Sequence, residues 1–189
     1  MFGVLLMAII IIVPVVASAA TASTTISSVV SAVISLSTSG TVNINVTPAG
    51  AGVQTIDSDT ATVSTNDTAG YTLKLGETGA GATLLSGSNN IPASTGTQTT
   101  PVAETAQSWG YRVDTVGGFG AGPTSSASNA AIGSIKFAGV AATGSPNTIK
   151  TTATTATNDT TSVWYGVAID TTQPSGTYTN SVTYTATVN

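Results

Sequence analysis

The chain has 189 residues, of which only 6% are charged, and it carries a net charge of −4 at pH 7 with no histidine and no cysteine. Its four scattered cations cannot form the basic stripe that phosphate binding needs, so the composition excludes a nucleic-acid partner. Without histidine or cysteine, the usual general base, the thiolate nucleophile and nearly all zinc sites are missing, so no catalytic residue, metal or cofactor is expected.

The first 36 residues differ from the rest of the chain. Residues 1–16 are almost purely aliphatic, and no charged residue precedes Asp57. Residues 26–34 place apolar side chains at i, i+3, i+4, i+7 and i+8, which is typical of a helix with one apolar stripe. The sequence therefore predicts a hydrophobic assembly helix over residues 1–37, with a kink at its one proline. The side chains expected in the core of an assembly are Phe2, Val4, Leu5, Leu6, Ile9, Ile10, Ile12, Val13, Pro14, Ile26, Val29, Val30, Val33 and Ile34.

Three interpretations of the leading residues compete. A secretory signal peptide would end at the small residues Ala17-Ser18-Ala19, but its first residues lack Lys and Arg. A membrane anchor lacks the flanking charges that orient such a segment. A mature pilin-type chain that begins at Met1 after removal of a basic leader explains the missing charge directly, and we favour it.

From Gly40 onward the apolar residues alternate, which predicts β-strands in a head domain of residues 38–189. Thr41 to Val46 is the first predicted strand. Residues 60–75 predict a hairpin, in which the turn-forming residues 66–70 separate two short strands.

The second half of the chain continues this pattern. Residues 76–106 predict long surface loops with one short strand near residues 83–85. Trp109, Tyr111 and Val113 mark a central strand, and residues 163–188 predict a terminal hairpin. About eight strands in all predict an α+β fold, in which the long N-terminal helix precedes an antiparallel β-sandwich of immunoglobulin-like type.

Few residues indicate a ligand or a modification. Asn45, Asn66 and Asn158 match the acceptor pattern for N-glycosylation. Asp57 and Asp59 could contribute oxygen ligands to calcium, as could the pairs Asn66-Asp67 and Asn158-Asp159, but local turns explain all three places with fewer assumptions. Trp164 is out of phase with the alternating residues around it, which places it on the far face of its sheet or on the surface.

An aliphatic N-terminal helix followed by a β domain resembles type IV pilins and related archaeal pilins. The resemblance rests on Met1 to Leu36. It departs from the bacterial family where Met1 replaces the usual Phe and where Leu5 replaces the usual Glu, an acid that archaeal pilins often lack.

A second resemblance covers residues 38–189 loosely. Trp109-Gly110-Tyr111 and the stretch Pro174 to Tyr178 look like parts of low-charge surface domains of host-attached bacteria with reduced genomes. Together the resemblances imply the structural subunit of an extracellular, type IV pilus-like filament on the cell surface, with helices in its core and β domains outside. Such a subunit would serve attachment, and twitching where a retraction motor exists.

The partners expected from this resemblance are copies of the same chain in a helical homopolymer, the inner membrane before assembly and a host-cell surface receptor. The alternative is a secreted or wall-attached adhesin, a β-sandwich from which residues 1–19 have been removed as a signal peptide.

Overall fold

The computed structural model describes residues 18–79 and 81–189. Residues 31–189 form one compact unit, and every regular element among the described residues is a β-strand. The strands are β1 (Ile34–Ser37), β2 (Val53–Thr65), β3 (Tyr71–Glu77), β4 (Leu84–Ser86), β5 (Asn89–Ile91), β6 (Val102–Ala103), β7 (Ser108–Arg112), β8 (Ala127–Ala131), β9 (Lys136–Phe137), β10 (Asn147–Thr151), β11 (Ala156–Ile169) and β12 (Val182–Val188).

Two long strands, β2 and β11, organise the larger sheet. They pair antiparallel along their whole length, from Val53 opposite Ile169 to Thr65 opposite Ala156. The sheet has the order β1-β2-β11-β7. Strand β8 also pairs with β2, on the edge that β1 occupies but at the opposite end of that edge. A second sheet has the order β10-β3-β12, and β4-β5 and β6-β9 form two small ribbons. Strand β12 is therefore an edge strand.

The two larger sheets share one hydrophobic core. Alternate side chains of β2 and β11, such as Val63 and Val163, point into it, as do Tyr71, Leu73 and Leu75 of β3. This is the alternation that the sequence predicts for these strands, because successive side chains of a strand point to opposite faces.

A smaller core covers the other face of the larger sheet. Trp164 packs there with Ile56 and Phe137, and the Phe137 ring lies over Gly166, where a Cβ atom would come within 2.7 Å of the ring. Trp164 thus lies on the far face of its sheet, as its phase predicted, and it is buried.

The predicted α+β fold with a long N-terminal helix is wrong for the described part of the chain. Residues 18–33 form no regular element, and Ile34, expected in a helix, begins β1. Residues 18–33 consist of Ala, Ser, Thr, Val and one Ile, and β-branched and hydroxyl side chains favour extended backbone over helix. No helix able to span a membrane occurs in residues 18–79 or 81–189.

Part of the assembly helix cannot be compared with the structure. The expected core residues Phe2, Val4, Leu5, Leu6, Ile9, Ile10, Ile12, Val13 and Pro14 lie outside the described residues. Among the described residues, no helix supports the resemblance to type IV pilins.

Both predicted hairpins are wrong, although the strands and turns that compose them exist. Strands β2 and β3 belong to different sheets, and so do β11 and β12. The reason is that β2 already has β11 along one edge and β1 and β8 along the other. The chain therefore crosses from one sheet to the other at residues 66–70 instead of turning back in the same sheet.

The immunoglobulin-like arrangement also differs from the structure. The described residues form twelve strands in four sheets, where about eight strands in two sheets were expected. Part of the difference lies in residues 76–106, which contain the β4-β5 ribbon and β6 as well as loops. The single strand predicted near residues 83–85 is β4.

Candidate assembly site

A cavity of about 860 Å³, which we call the cleft, lies between residues 38–46 and residues 173–184. Its floor is the edge of the main core, which contributes Leu84, Ile91, Trp109, Tyr165, Val167 and Ile169. The indole Nε1 of Trp109 donates a hydrogen bond to the Ala82 carbonyl at 2.6 Å. Because this ring is buried and its polar atom is paired, the floor offers an apolar surface and not an exposed aromatic platform for sugars.

The first wall of the cleft is the segment of residues 41–46. Its side chains alternate as the sequence predicts, with Val42, Ile44 and Val46 half-buried against the core and their neighbours exposed. However, the segment belongs to none of the sheets, and its backbone makes no hydrogen bond to another backbone group in the described part of the chain. The prediction of a strand here is correct for the conformation and wrong for the pairing.

Side chains hold this wall in place at both ends. At one end, the backbone N–H of Ser39 donates to the Asp59 carboxylate at 2.9 Å. At the other end, Thr55 Oγ1 donates to the Asn45 carbonyl at 3.1 Å, and the N–H of Thr47 donates to Asn129 Oδ1 at 2.6 Å. The wall is thus held extended without a strand beside it.

The second wall is the chain that leads into β12. Val182 and Tyr184 line the cleft from the first half of that strand. Strand β12 pairs with β3 along one edge, and no described strand pairs with its other edge. An edge strand of this kind presents a row of backbone donors and acceptors to a further strand.

The cleft is nearly free of charge. Asp59 is the only charged residue that lines it in the described part of the chain, and the carboxylate is buried and hydrogen-bonded to Ser39. Beside it, the hydroxyls of Tyr165 and Tyr184 form a hydrogen bond of 2.7 Å. Burial raises the pKa of both tyrosines above the usual range, so they stay neutral.

Residues 18–33, which we call the leading segment, are the other unusual feature. The side chains of Ile26, Val29, Val30 and Val33 are 91%, 90%, 83% and 64% exposed. The predicted assembly residue Ile34 is instead half-buried in its own head domain, where it packs on the main core. The structure does not bring these five residues together on one helical stripe.

The end of the leading segment is fixed to the head domain through Asn66. Its Oδ1 accepts a hydrogen bond from the N–H of Val33 at 2.7 Å, and its Nδ2 donates to the Ser31 carbonyl at 3.0 Å. Because Nδ2 is the atom that a glycan would occupy, Asn66 is a poor acceptor in the folded chain. The side-chain amides of Asn45 and Asn158 donate no such bond among the described residues, and both residues are exposed.

The acidic residues considered for calcium have other partners. Asp57 Oδ1 accepts hydrogen bonds from the Ser58 N–H and from Ser126 Oγ. Asp67 caps the turn after β2 through the N–H of Ala69. In the described ranges no group of three or more acidic residues is arranged to hold a metal ion.

Sequence reasoning missed the cleft itself. The sequence predicts strands both at Thr41 to Val46 and at the end of the chain. However, a local sequence pattern cannot predict that a cavity lies between these two segments. Comparison with protein families, with curated proteins and with solved structures finds no match.

Proposed function

We propose that this chain is the structural subunit of an extracellular filament on the cell surface, and that it assembles through its leading segment. The observation that supports the proposal is the exposure of Ile26, Val29 and Val30 in a stretch without any charge. Contiguous exposed apolar side chains indicate a surface that another molecule covers. Copies of the same chain are the partner we propose, with attachment to surfaces as the role of the filament.

The energy available from this segment is large enough for assembly. Fully burying one Val or Ile side chain contributes about 1.5–3 kcal/mol. Ile26, Val29 and Val30 together would contribute roughly 5–9 kcal/mol, whereas association costs about 4–15 kcal/mol in lost freedom of motion. The apolar burial is thus of the right size, and backbone hydrogen bonds between copies would add to it.

The proposal differs from the expected type IV pilus in how the copies are joined. Helices packed in the core are not part of it, because residues 18–37 form no helix. The head domains would form the outer surface of the filament. Their Ser, Thr and Asn side chains can hydrogen-bond to water, which keeps this surface hydrated despite its low charge.

Electron microscopy and sedimentation of the purified full chain test this function. We expect fibres, or a series of oligomers that grows with protein concentration, from a chain that mass spectrometry shows to retain residues 18–33. Single particles at every concentration, with the leading segment intact, would refute the filament. A chain that begins at Ala20 keeps Ile26, Val29 and Val30, so single particles of such a chain at every concentration would favour the alternative, an adhesin that acts as a monomer.

A further inference from the structure

We propose that the cleft receives the leading segment of a second copy, which inserts as a strand between residues 41–46 and β12. This inference rests on the proposed filament function and names the site at which neighbouring copies join. It follows from four properties of the described residues: the first wall has no paired strand, one edge of β12 is open, the leading segment matches the cleft in polarity, and that segment is attached at the start of β1.

The two walls together have the form of a sheet from which one strand is missing. Residues 41–46 are extended, with alternate side chains on the core, yet their backbone has no backbone hydrogen-bond partner among residues 18–79 and 81–189. Across the cleft, the first half of β12 is paired on one side only. A strand placed between them could form backbone hydrogen bonds with both walls, and it would extend the β10-β3-β12 sheet.

The leading segment has the polarity that this place requires. It contains no charged residue, and the cleft is lined by a single charged residue whose carboxylate is already hydrogen-bonded. A charged insert would lose its hydration without gaining a partner. An uncharged insert with Val, Ile, Ser and Thr side chains loses much less and has high β propensity.

The alternation of β1 indicates which side chains would enter the cleft. Ile34 and Leu36 point toward the core of their own head domain. Because side chains alternate along extended chain, Ile26, Ser28 and Val30 lie on the same face as Ile34 in a continuous strand. We therefore assign Ile26 and Val30 to the apolar floor of the neighbouring copy.

The occupant is a second copy and not the chain's own leading segment. Asn66 holds Ser31 and Val33 directly before the first residue of β1, so the leading segment is attached at the end of β1 that lies away from residues 38–46. To reach its own cleft it would have to reverse direction within residues 18–30. That stretch contains no Gly, Pro, Asn or Asp, the residues that tight reversals favour.

Cross-linking between copies tests the insertion, because the chain has no cysteine of its own. Ser28→Cys places a thiol on the inserted face, and Ser181→Cys places one on the lining of the cleft. Ser145→Cys is the matched control, an exposed serine before β10 at the opposite edge of the same sheet. Serine and cysteine are close in size, and circular dichroism of each variant checks that it folds.

Full-length chains carrying one cysteine each are assembled as mixtures and treated with a short thiol–thiol cross-linker. We expect Ser28→Cys with Ser181→Cys to give cross-linked dimers in at least tenfold higher yield than Ser28→Cys with Ser145→Cys. A chain carrying both Ser28→Cys and Ser181→Cys should give a ladder of covalent polymers on a denaturing gel.

The outcomes separate this inference from the proposed function. Filaments that form normally but give equal cross-linking with Ser145→Cys would overturn the insertion and leave the filament standing. A double-cysteine chain that cross-links only within itself would show that each chain fills its own cleft, which also overturns the proposal. If no assembly of any kind forms, the proposed function and the insertion both fail.

Discussion

The hydroxyls of Tyr165 and Tyr184 lie 2.7 Å apart and join the two large sheets across the floor of the cleft. Tyr165 belongs to β11 in the five-stranded sheet, and Tyr184 belongs to β12 in the three-stranded sheet. The bond is buried on the Tyr165 side. Removing one hydroxyl therefore leaves the other hydroxyl without a hydrogen-bond partner. Burying that unpaired group costs more free energy than the bond itself contributes.

The first prediction concerns this pair. We expect Tyr165→Phe and Tyr184→Phe each to lower the free energy of unfolding by about 1–2 kcal/mol. The double variant should lose little more than either single variant, since no hydroxyl is then left unpaired. Urea denaturation of the four proteins in a double-mutant cycle measures the coupling, and strictly additive losses would contradict it.

Much of the fold follows from local sequence. Leu73 and Leu75 point inward, and Asp67 and Gly70 form the turn that precedes them, as the sequence predicts. Alternation and turn chemistry are local properties, so they can be recognised in a short window of sequence. The partner of each strand is a non-local property, and for that reason both predicted hairpins were wrong.

The error in the leading segment has a specific cause. Ile26, Val30 and Ile34 are spaced by four, and this spacing puts them on one face of a helix and equally on one face of a strand. The neighbouring Ser, Thr and Val residues favour the strand. The cleft could not be predicted at all, because the segments that form its walls are about 140 residues apart in the sequence and no local pattern shows that they stay unpaired.

The second prediction concerns a buried acid outside the cleft. Glu104 is 4% exposed, and its Oε1 has no hydrogen-bond partner in the part of the chain that the structure describes. Burial raises the pKa of this carboxyl to about 7, although the hydrogen bond with Ser108 lowers it in part. Ser108 Oγ has one proton for two acceptors, Glu104 Oε2 and the Thr105 carbonyl, so this donor offsets only part of the cost of burying the carboxylate.

The sign of the pH dependence follows from this pKa. In the unfolded chain the pKa of the carboxyl is near its usual value of 4.5, and in the folded chain the pKa is about 7. The stability that neutral Glu104 provides is therefore complete below pH 4.5 and is lost as the pH rises to about 7. Each unit of pKa difference corresponds to about 1.4 kcal/mol, so the loss is on the order of 3 kcal/mol.

Glu104→Gln removes the ionisation and keeps the shape. We expect the variant to match the parent chain at pH 4 and to be more stable by about 2–3 kcal/mol at pH 8. Thermal unfolding over this pH range provides the measurement. A difference that stays constant with pH would show that the carboxyl does not titrate as described.

The third prediction tests the face of the leading segment that enters the cleft. Ile26→Asp with Val30→Asp places two negative charges on the face that continues from Ile34. Burying these charges is strongly unfavourable, because Asp59, itself an acid, is the only charged residue of the described chain that lines the cleft. We expect this double variant to abolish assembly, measured as the pelleted fraction after ultracentrifugation. The unfolding curve of the head domain should not change, because Ile26 and Val30 are exposed in the single chain.

Thr25→Asp with Ser27→Asp is the matched control, since it adds the same charge to the opposite face of the same segment. It should retain at least half of the pelleted fraction. Equal loss in both variants would mean that charge alone, and not the identity of the buried face, prevents assembly.

The fourth prediction concerns the turn at which the chain crosses from one sheet to the other. Gly70 has φ of +84°, and a Cβ atom added there would lie 2.4 Å from the Thr152 carbonyl oxygen. Gly40 has φ of +81° with no atom within 4 Å of the same position. The two glycines therefore share the backbone conformation that disfavours side chains and differ only in the space around them.

Gly40→Ala should lower the free energy of unfolding by about 1–2 kcal/mol, the cost of the left-handed conformation alone. Gly70→Ala should cost at least 2 kcal/mol more, because the backbone must shift to relieve the contact with Thr152. Urea denaturation of both variants gives the difference directly. An equal loss of unfolding free energy in the two variants would mean that the turn relaxes freely. The close approach between Gly70 and Thr152 would then not be the contact that positions β3 and β10 at the end of β2.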